Sequence, residues 1–105
     1  MATIFTKIIS REIPSDIVYE DEKIIVIKDI NPQAKTHLLI IPKKEIATIN
    51  DLMPEDRELI ADMFFVAKKI AKDLNISEWY KLHFNVWEKW WQEVMHIHLH
   101  LLSNI

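Results

Sequence analysis

The chain contains no glycine among its 105 residues, where average usage is roughly 7%. Without glycine no residue adopts positive φ at little cost, so tight turns and close backbone approaches fall to other side chains. Cysteine is absent too, which excludes a disulfide framework and a thiolate metal site. No apolar run approaches the length of a membrane span, and the start, Met-Ala-Thr-Ile-Phe-Thr-Lys, lacks the long apolar stretch of a signal peptide. A cytoplasmic location without membrane association is the expectation. There is no basic excess: the formal net charge is -3, whereas a nucleic-acid backbone calls for a basic stripe. A small phosphate ligand remains compatible with that charge, because a site can be locally polar in an acidic protein.

What is present fits one small domain over residues 1–105. Half of the residues are hydrophobic and 28% are charged, an ordinary globular balance. Four tryptophans all lie between positions 79 and 91, and three of the five histidines lie within His96-Ile97-His98-Leu99-His100. Strict alternation there predicts an extended strand with His96, His98 and His100 on one face, spaced about 6.5 Å apart, and Ile97, Leu99 and Leu101 facing a core.

Elsewhere the pattern predicts a hairpin from Ile17–Glu20 and Lys23–Asp29, rich in β-branched residues. A third strand over His37–Ile41 is closed by Pro42, which has no N–H for a ladder. A helix is expected from Pro54 to about Leu74, with Leu59, Met63, Ala67, Ile70 and Leu74 in one stripe and Ile60, Phe64 and Ala71 beside it. Pro54 suits a first helical position and Glu55 and Asp56 suit the positive helix end, although Met53 has no oxygen to cap it. A long fourth strand is predicted over Tyr80–Val86, with Lys81, His83 and Asn85 on its polar face. Strands, one long helix, then strands read as α+β, an antiparallel sheet with a helix on one face. The other face could be solvated or covered by a second subunit.

Three imidazoles on one strand face admit four uses. They could be ordinary half-buried polar residues, although strict period-two spacing speaks against that. They could chelate zinc, with His37 or His83 as a further ligand. They could perform nucleophilic catalysis at phosphorus, one ring attacking, a second orienting it and a third handling the leaving-group proton. They could bind phosphate without turnover.

His96-Ile97-His98-Leu99-His100-Leu101-Leu102 resembles the His-x-His-x-His-x-x signature of the histidine triad (HIT) superfamily. Ile4–Pro14, Asp29-Ile30-Asn31-Pro32-Gln33-Ala34-Lys35-Thr36-His37, Ile41-Pro42-Lys43 and Gln92-Glu93-Val94-Met95-His96 resemble the Hint branch in particular. The resemblance implies a HIT-like antiparallel sheet of about five strands, one long helix, a short N-terminal helix and a homodimer. It implies hydrolysis of purine nucleoside 5′-phosphoramidates, with no metal or other cofactor and an AMP-like ligand. By motif position His98 would be the nucleophile and His96 would orient it. His100 and His37 would meet phosphate oxygens or assist the leaving amine. Asp29 and Ile30 would contact ribose and base. Asn85, Gln92 and Glu93 would lie near ribose and phosphate, Glu93 through its backbone N–H.

The sequence departs from that pattern at the tryptophans. The Hint pattern Asn-x-Gly-x-x-Gly-Gly-Gln stands here as Asn85-Val86-Trp87-Glu88-Lys89-Trp90-Trp91-Gln92, and Trp79 also falls on a family glycine. Bulky rings there would compete with substrate, so impaired activity is expected if they are real. The rings could be natural aromatics for packing or a dimer interface, or engineered. They could also come from codon reassignment: some uncultured bacterial lineages read UGA as glycine, other codes as tryptophan. The total absence of glycine favours that last origin. Hint proteins also usually continue past the triad strand toward the partner's active site, a contribution expected to be lacking where the chain stops at Ile105.

Overall fold

The central strands are built from the most apolar, β-branched runs of the chain. In the computed structural model, which describes residues 2–105, these are β2 (Ile24–Lys28) and β3 (Thr36–Pro42). Around them lie α1 (Ile4–Ile9), β1 (Ile17–Glu20), α2 (Arg57–Asp73), β4 (Lys81–His83) and β5 (Leu99–Ser103), with short 3-10 turns at 49–51, 54–56 and 88–90. The five strands form one antiparallel sheet in the order β1-β2-β3-β5-β4. The architecture is α+β, with the five strands, long helix and short N-terminal helix expected from the sequence.

Both faces of the sheet are covered. Ile24, Val26, Leu38, Ile40, Leu99 and Leu101 pack with Met63, Val66, Ala67, Ile70 and Ala71 of α2. On the opposite face Ile25, Ile27, Leu39 and Ile41 pack with Phe5 and Ile8 of α1. The face left open by the sequence reading is therefore partly closed by the chain's own N-terminal helix. That helix is held by a reciprocal cap between Thr3 and Thr6.

Turns are made without glycine. The β1–β2 connection is an Asx turn: Asp21 Oδ1 accepts from the N–H groups of Lys23 (2.7 Å) and Ile24 (2.8 Å). α2 ends in a Schellman motif with Asn75 at φ 60°, the Asn75 N–H donating to Lys72 O and the Ile76 N–H to Ala71 O.

Four expectations need correction. Pro54–Asp56 is a 3-10 turn, and α2 proper begins at Arg57. The buried Asp56 carboxylate accepts the Met53 N–H (2.8 Å), supplying the oxygen that Met53 lacks. The buried face of α2 includes Val66, while Phe64 and Leu74 are exposed. β4 ends at His83, because Phe84 leaves the ladder to set its ring edge against Phe64. Finally, the ladder of β5 starts only at Leu99. β3 ends at Pro42, which has no N–H, and the Ile97 N–H donates instead to Ile46 O (2.8 Å). Among the described residues no helix is long and apolar enough to cross a membrane.

Candidate functional site

The alternation at the C-terminal end survives the shortened ladder. Ile97, Leu99 and Leu101 are buried in the core, and His96, His98 and His100 share the opposite side. Register then decides which other rings join them. Leu39 pairs with His100 and His37 with Leu102, so His37 on β3 is the diagonal neighbour of His100. His83 of β4 pairs directly with His100.

Main-chain groups fix the proton on each ring. A carbonyl can only accept, so the 2.8 Å contact from His98 Nδ1 to His96 O places the proton on Nδ1 and leaves Nε2 as a lone pair. His96 Nε2 likewise donates to Pro42 O (2.6 Å). An N–H can only donate, so the Gln33 N–H to His37 Nδ1 (3.1 Å) forces the His37 proton onto Nε2. His37 Nε2–H then donates to His100 Nδ1 (2.9 Å), which leaves His100 with its proton on Nε2. That Nε2–H is buried and has no partner within the protein. The rings of His98 and His100 lie 4.9 Å apart between centroids. A ring with a free lone pair thus stands beside a ring with an unspent donor.

Burial keeps these rings neutral. Desolvation is the main cause that pushes His96 and His98 below the ordinary imidazole range, and the charge of Asp29 and Glu93 only partly opposes it at His98. His100 is pushed down to about 3, by burial first and then by His98, His83 and His37. His83 is lowered by burial and by Lys81, against a hydrogen bond with Asn85. A neutral imidazole is the form that attacks phosphorus.

The remaining sequence candidates fall into two groups. Asp29 follows β2, and its Oδ2 lies 3.5 Å from His37 Nε2 while Oδ1 accepts the Asn31 N–H (2.8 Å). Ile30 beside it is 83% exposed, an apolar side chain free to meet a ligand. Asn85 follows β4 and is half-buried, and Glu93 is exposed. Gln92 is buried with its amide fully engaged: Nε2 donates to Ala47 O and Val94 O, and Oε1 accepts the Trp87 N–H. Its side chain ties the 87–92 loop to the body and its own N–H is spent on Trp87 O, so Gln92 holds the loop and offers no free donor to a ligand.

Residue types alone gave no sign of several contributors. Phe5 of α1 sets its edge against His96 (5.9 Å) and His98 (5.0 Å), covering both rings from the side of the N-terminal helix. Gln33 and Pro42 act through main-chain atoms. His83 was visible as a polar-face residue of its strand and as a possible zinc ligand, but not as the ring that stacks on His100.

Asp29, His37 and His100 bring possible metal-ligand atoms within 4.8 Å of one another. Two imidazoles and a carboxylate are an ordinary metal donor set, but a metal at His37 Nε2 would require that nitrogen to lose its proton and Nδ1 to give up the Gln33 N–H. The His37 nitrogen that faces the group carries the ring proton, because the other accepts from Gln33.

The 87–92 loop shows glycine geometry under tryptophan side chains. Trp87 sits at φ 77°, ψ 159°, a region populated essentially by glycine alone, and Trp91 is left-handed at φ 64°, ψ 27°. The Trp87 carbonyl accepts from the N–H groups of Trp90 and Gln92, so this conformation is bonded in place. Trp79, Trp87, Trp90 and Trp91 are all 55% to 68% exposed, and none packs into the core.

Over residues 2–105 the sequence matches the family described as "Scavenger mRNA decapping enzyme C-term binding". A purine nucleoside phosphoramidase of Escherichia coli (strain K12) is 52% identical over 102 residues, covering 96% of this chain and 86% of the relative. The chain belongs to this family and, with it, to the Hint-like branch of the histidine triad superfamily. Solved histidine triad structures agree. A HIT family hydrolase from Legionella pneumophila superposes with a TM-score of 0.96 at 52% identity, covering 99% of this chain and 94% of that one. A histidine triad nucleotide-binding protein from Candida albicans gives 0.86 at 34% identity, covering 95% and 73%.

Proposed function

We propose that this chain is a nucleotide-binding hydrolase that cleaves the P–N bond of purine nucleoside 5′-phosphoramidates through a nucleotidyl-histidine intermediate. The observation that carries the reading is the pairing of His98, with its free Nε2 lone pair, and His100, with its unpartnered Nε2–H. His98 Nε2 attacks phosphorus while its Nδ1–H stays on His96 O, which steadies the positive charge the ring gains. The His100 donor, oriented by His37, meets a phosphoryl oxygen as charge builds there. The leaving nitrogen takes a proton from solvent as its bond to phosphorus breaks, and the later hydrolysis of the histidine–phosphorus bond returns one to solvent. Water then hydrolyses the histidine–phosphorus bond, releasing the nucleoside monophosphate and the neutral ring. His96 holds the strand in place through Pro42. Asp29 takes the ribose hydroxyls, Ile30 packs on the base, and Asn85 with the backbone N–H of Glu93 borders the phosphate, on the loop that Gln92 holds in place. The protein works as a cytoplasmic homodimer with no metal or organic cofactor.

Activity of the chain as written is impaired in this reading, because Trp87 and Trp91 hold positions whose backbone suits glycine. The four-glycine counterpart should be the active form, and if codon reassignment is the origin of the tryptophans the coding DNA should read TGA there. TGG at all four positions would rule that origin out. The functional test is amine release from a fluorogenic adenosine phosphoramidate, by this chain and by its four-glycine counterpart. The counterpart should turn over and this chain should be slower. Tight AMP binding without amine release by either form would make the protein a nucleotide-binding module instead.

A further inference from the structure

His83 belongs to none of the roles above, yet it makes the flattest ring contact in the site. Its imidazole lies on that of His100 with centroids 4.6 Å apart and planes 4° apart. The contact follows from register, since His83 and His100 are direct cross-strand partners. His100 otherwise has one hydrogen bond, from His37 to Nδ1. One bond decides which nitrogen is protonated, but a single contact at the ring edge does not by itself hold the ring against rocking about Cβ–Cγ.

We propose that His83 is a positioning residue for His100, a flat support that fixes the plane of the ring and so the direction of its free Nε2–H. The stack covers one face of His100, while His37 binds its Nδ1 and His98 stands on the same strand 4.9 Å away. After burial itself, the rings of His98, His83 and His37 oppose a charge on His100, whereas the nearby Asp29 carboxylate is an anion that would favour one. The charged and titratable groups facing it are His37 of β3, with Asp29 behind it, His98 of β5, and His83 of β4, with Lys81 two residues before it. A ring that could tilt away from His83 would expose its face to water and misdirect its donor. The role serves the proposed hydrolysis through His100, but it is a property of the ligand-free protein.

The test uses His83→Phe, which keeps a flat ring, and His83→Leu, which keeps apolar cover without one. Nitrogen-15 NMR of the imidazoles in the ligand-free protein reports tautomer and protonation directly. The parent protein and His83→Phe should show His100 as a single Nε2–H tautomer that stays neutral well below the ordinary imidazole range. His83→Leu should keep that tautomer, which His37 sets, but should show faster exchange of the His100 Nε2–H with water and a titration midpoint moved upward. Unchanged Nε2–H exchange and an unshifted midpoint in His83→Leu overturn the proposal, and so does a His83→Phe signal as disturbed as that of His83→Leu. Because no substrate enters this measurement, a failed phosphoramidate assay leaves its outcome readable.

Discussion

His98 is anchored through Nδ1 on its own strand's carbonyl, so Asn in its place can still bond there but offers no ring nitrogen to phosphorus. His98→Asn should lower turnover by roughly a thousandfold or more with nucleotide binding largely kept. A burst of covalent nucleotidylation in that variant would remove His98 from the nucleophile's role. Asp29→Ala should weaken AMP binding about tenfold, the usual scale for a lost charged hydrogen bond. Unchanged affinity by calorimetry would count against its ribose contact. At this scale the sequence was legible wherever side chains act through their own chemistry. The alternation of His96, His98 and His100 with Ile97, Leu99 and Leu101 placed the rings and the core correctly. It could not show that Gln33 and Pro42 set ring protons, since those contacts use atoms common to every residue type. Nor could it show Phe5 against His98, a contact between opposite ends of the chain.

Among the elements, the 87–92 loop carries the clearest local cost. Trp87 in its glycine-only region costs on the order of 1–3 kcal/mol, and left-handed Trp91 about 1–2 kcal/mol. Glycine at each position gives back part of that gain through the freedom of the unfolded chain. Trp87→Gly and Trp91→Gly should each still raise stability by about 1 kcal/mol, measured by urea unfolding, while Trp90→Gly should change it little. Equal effects at all three positions would show that backbone conformation is not the cause. α2 illustrates where periodicity misleads. Phe64 and Leu74 fit the helical stripe but are exposed, because the sheet beneath α2 is met by Val66 and Ala71 instead. A stripe drawn on a helix alone cannot say which part of its arc the sheet covers. β4 was read too long for a related reason, since Phe84 is apolar and in phase but leaves the sheet for the helix.

For the whole molecule, the neutral histidine cluster links folding to pH. Burial lowers His83, His96, His98 and His100 from the ordinary value of 6.5. Below that value the unfolded chain binds protons that the folded chain refuses, so stability must fall as pH drops from 6.5 toward about 3. Glu20, Asp21 and Asp56, whose carboxyls are also held low, add their own loss only at more acid pH. Urea midpoints at about pH 7.5 and about pH 5.5 should therefore differ, the acid one being lower. Equal midpoints would mean that the histidines are as free to protonate in the folded protein as in the unfolded one.

Gln33, Pro42 and His96 orient their neighbouring rings with main-chain nitrogen or oxygen alone. The acid–base pattern of the centre is thus inherited through the path of the chain rather than through residue identity. Substitutions at position 33 can accumulate without disturbing it, whereas a one-residue insertion between positions 33 and 37 would scramble it while deleting no functional side chain. Mutational tolerance in this protein should follow length, not composition, along that loop.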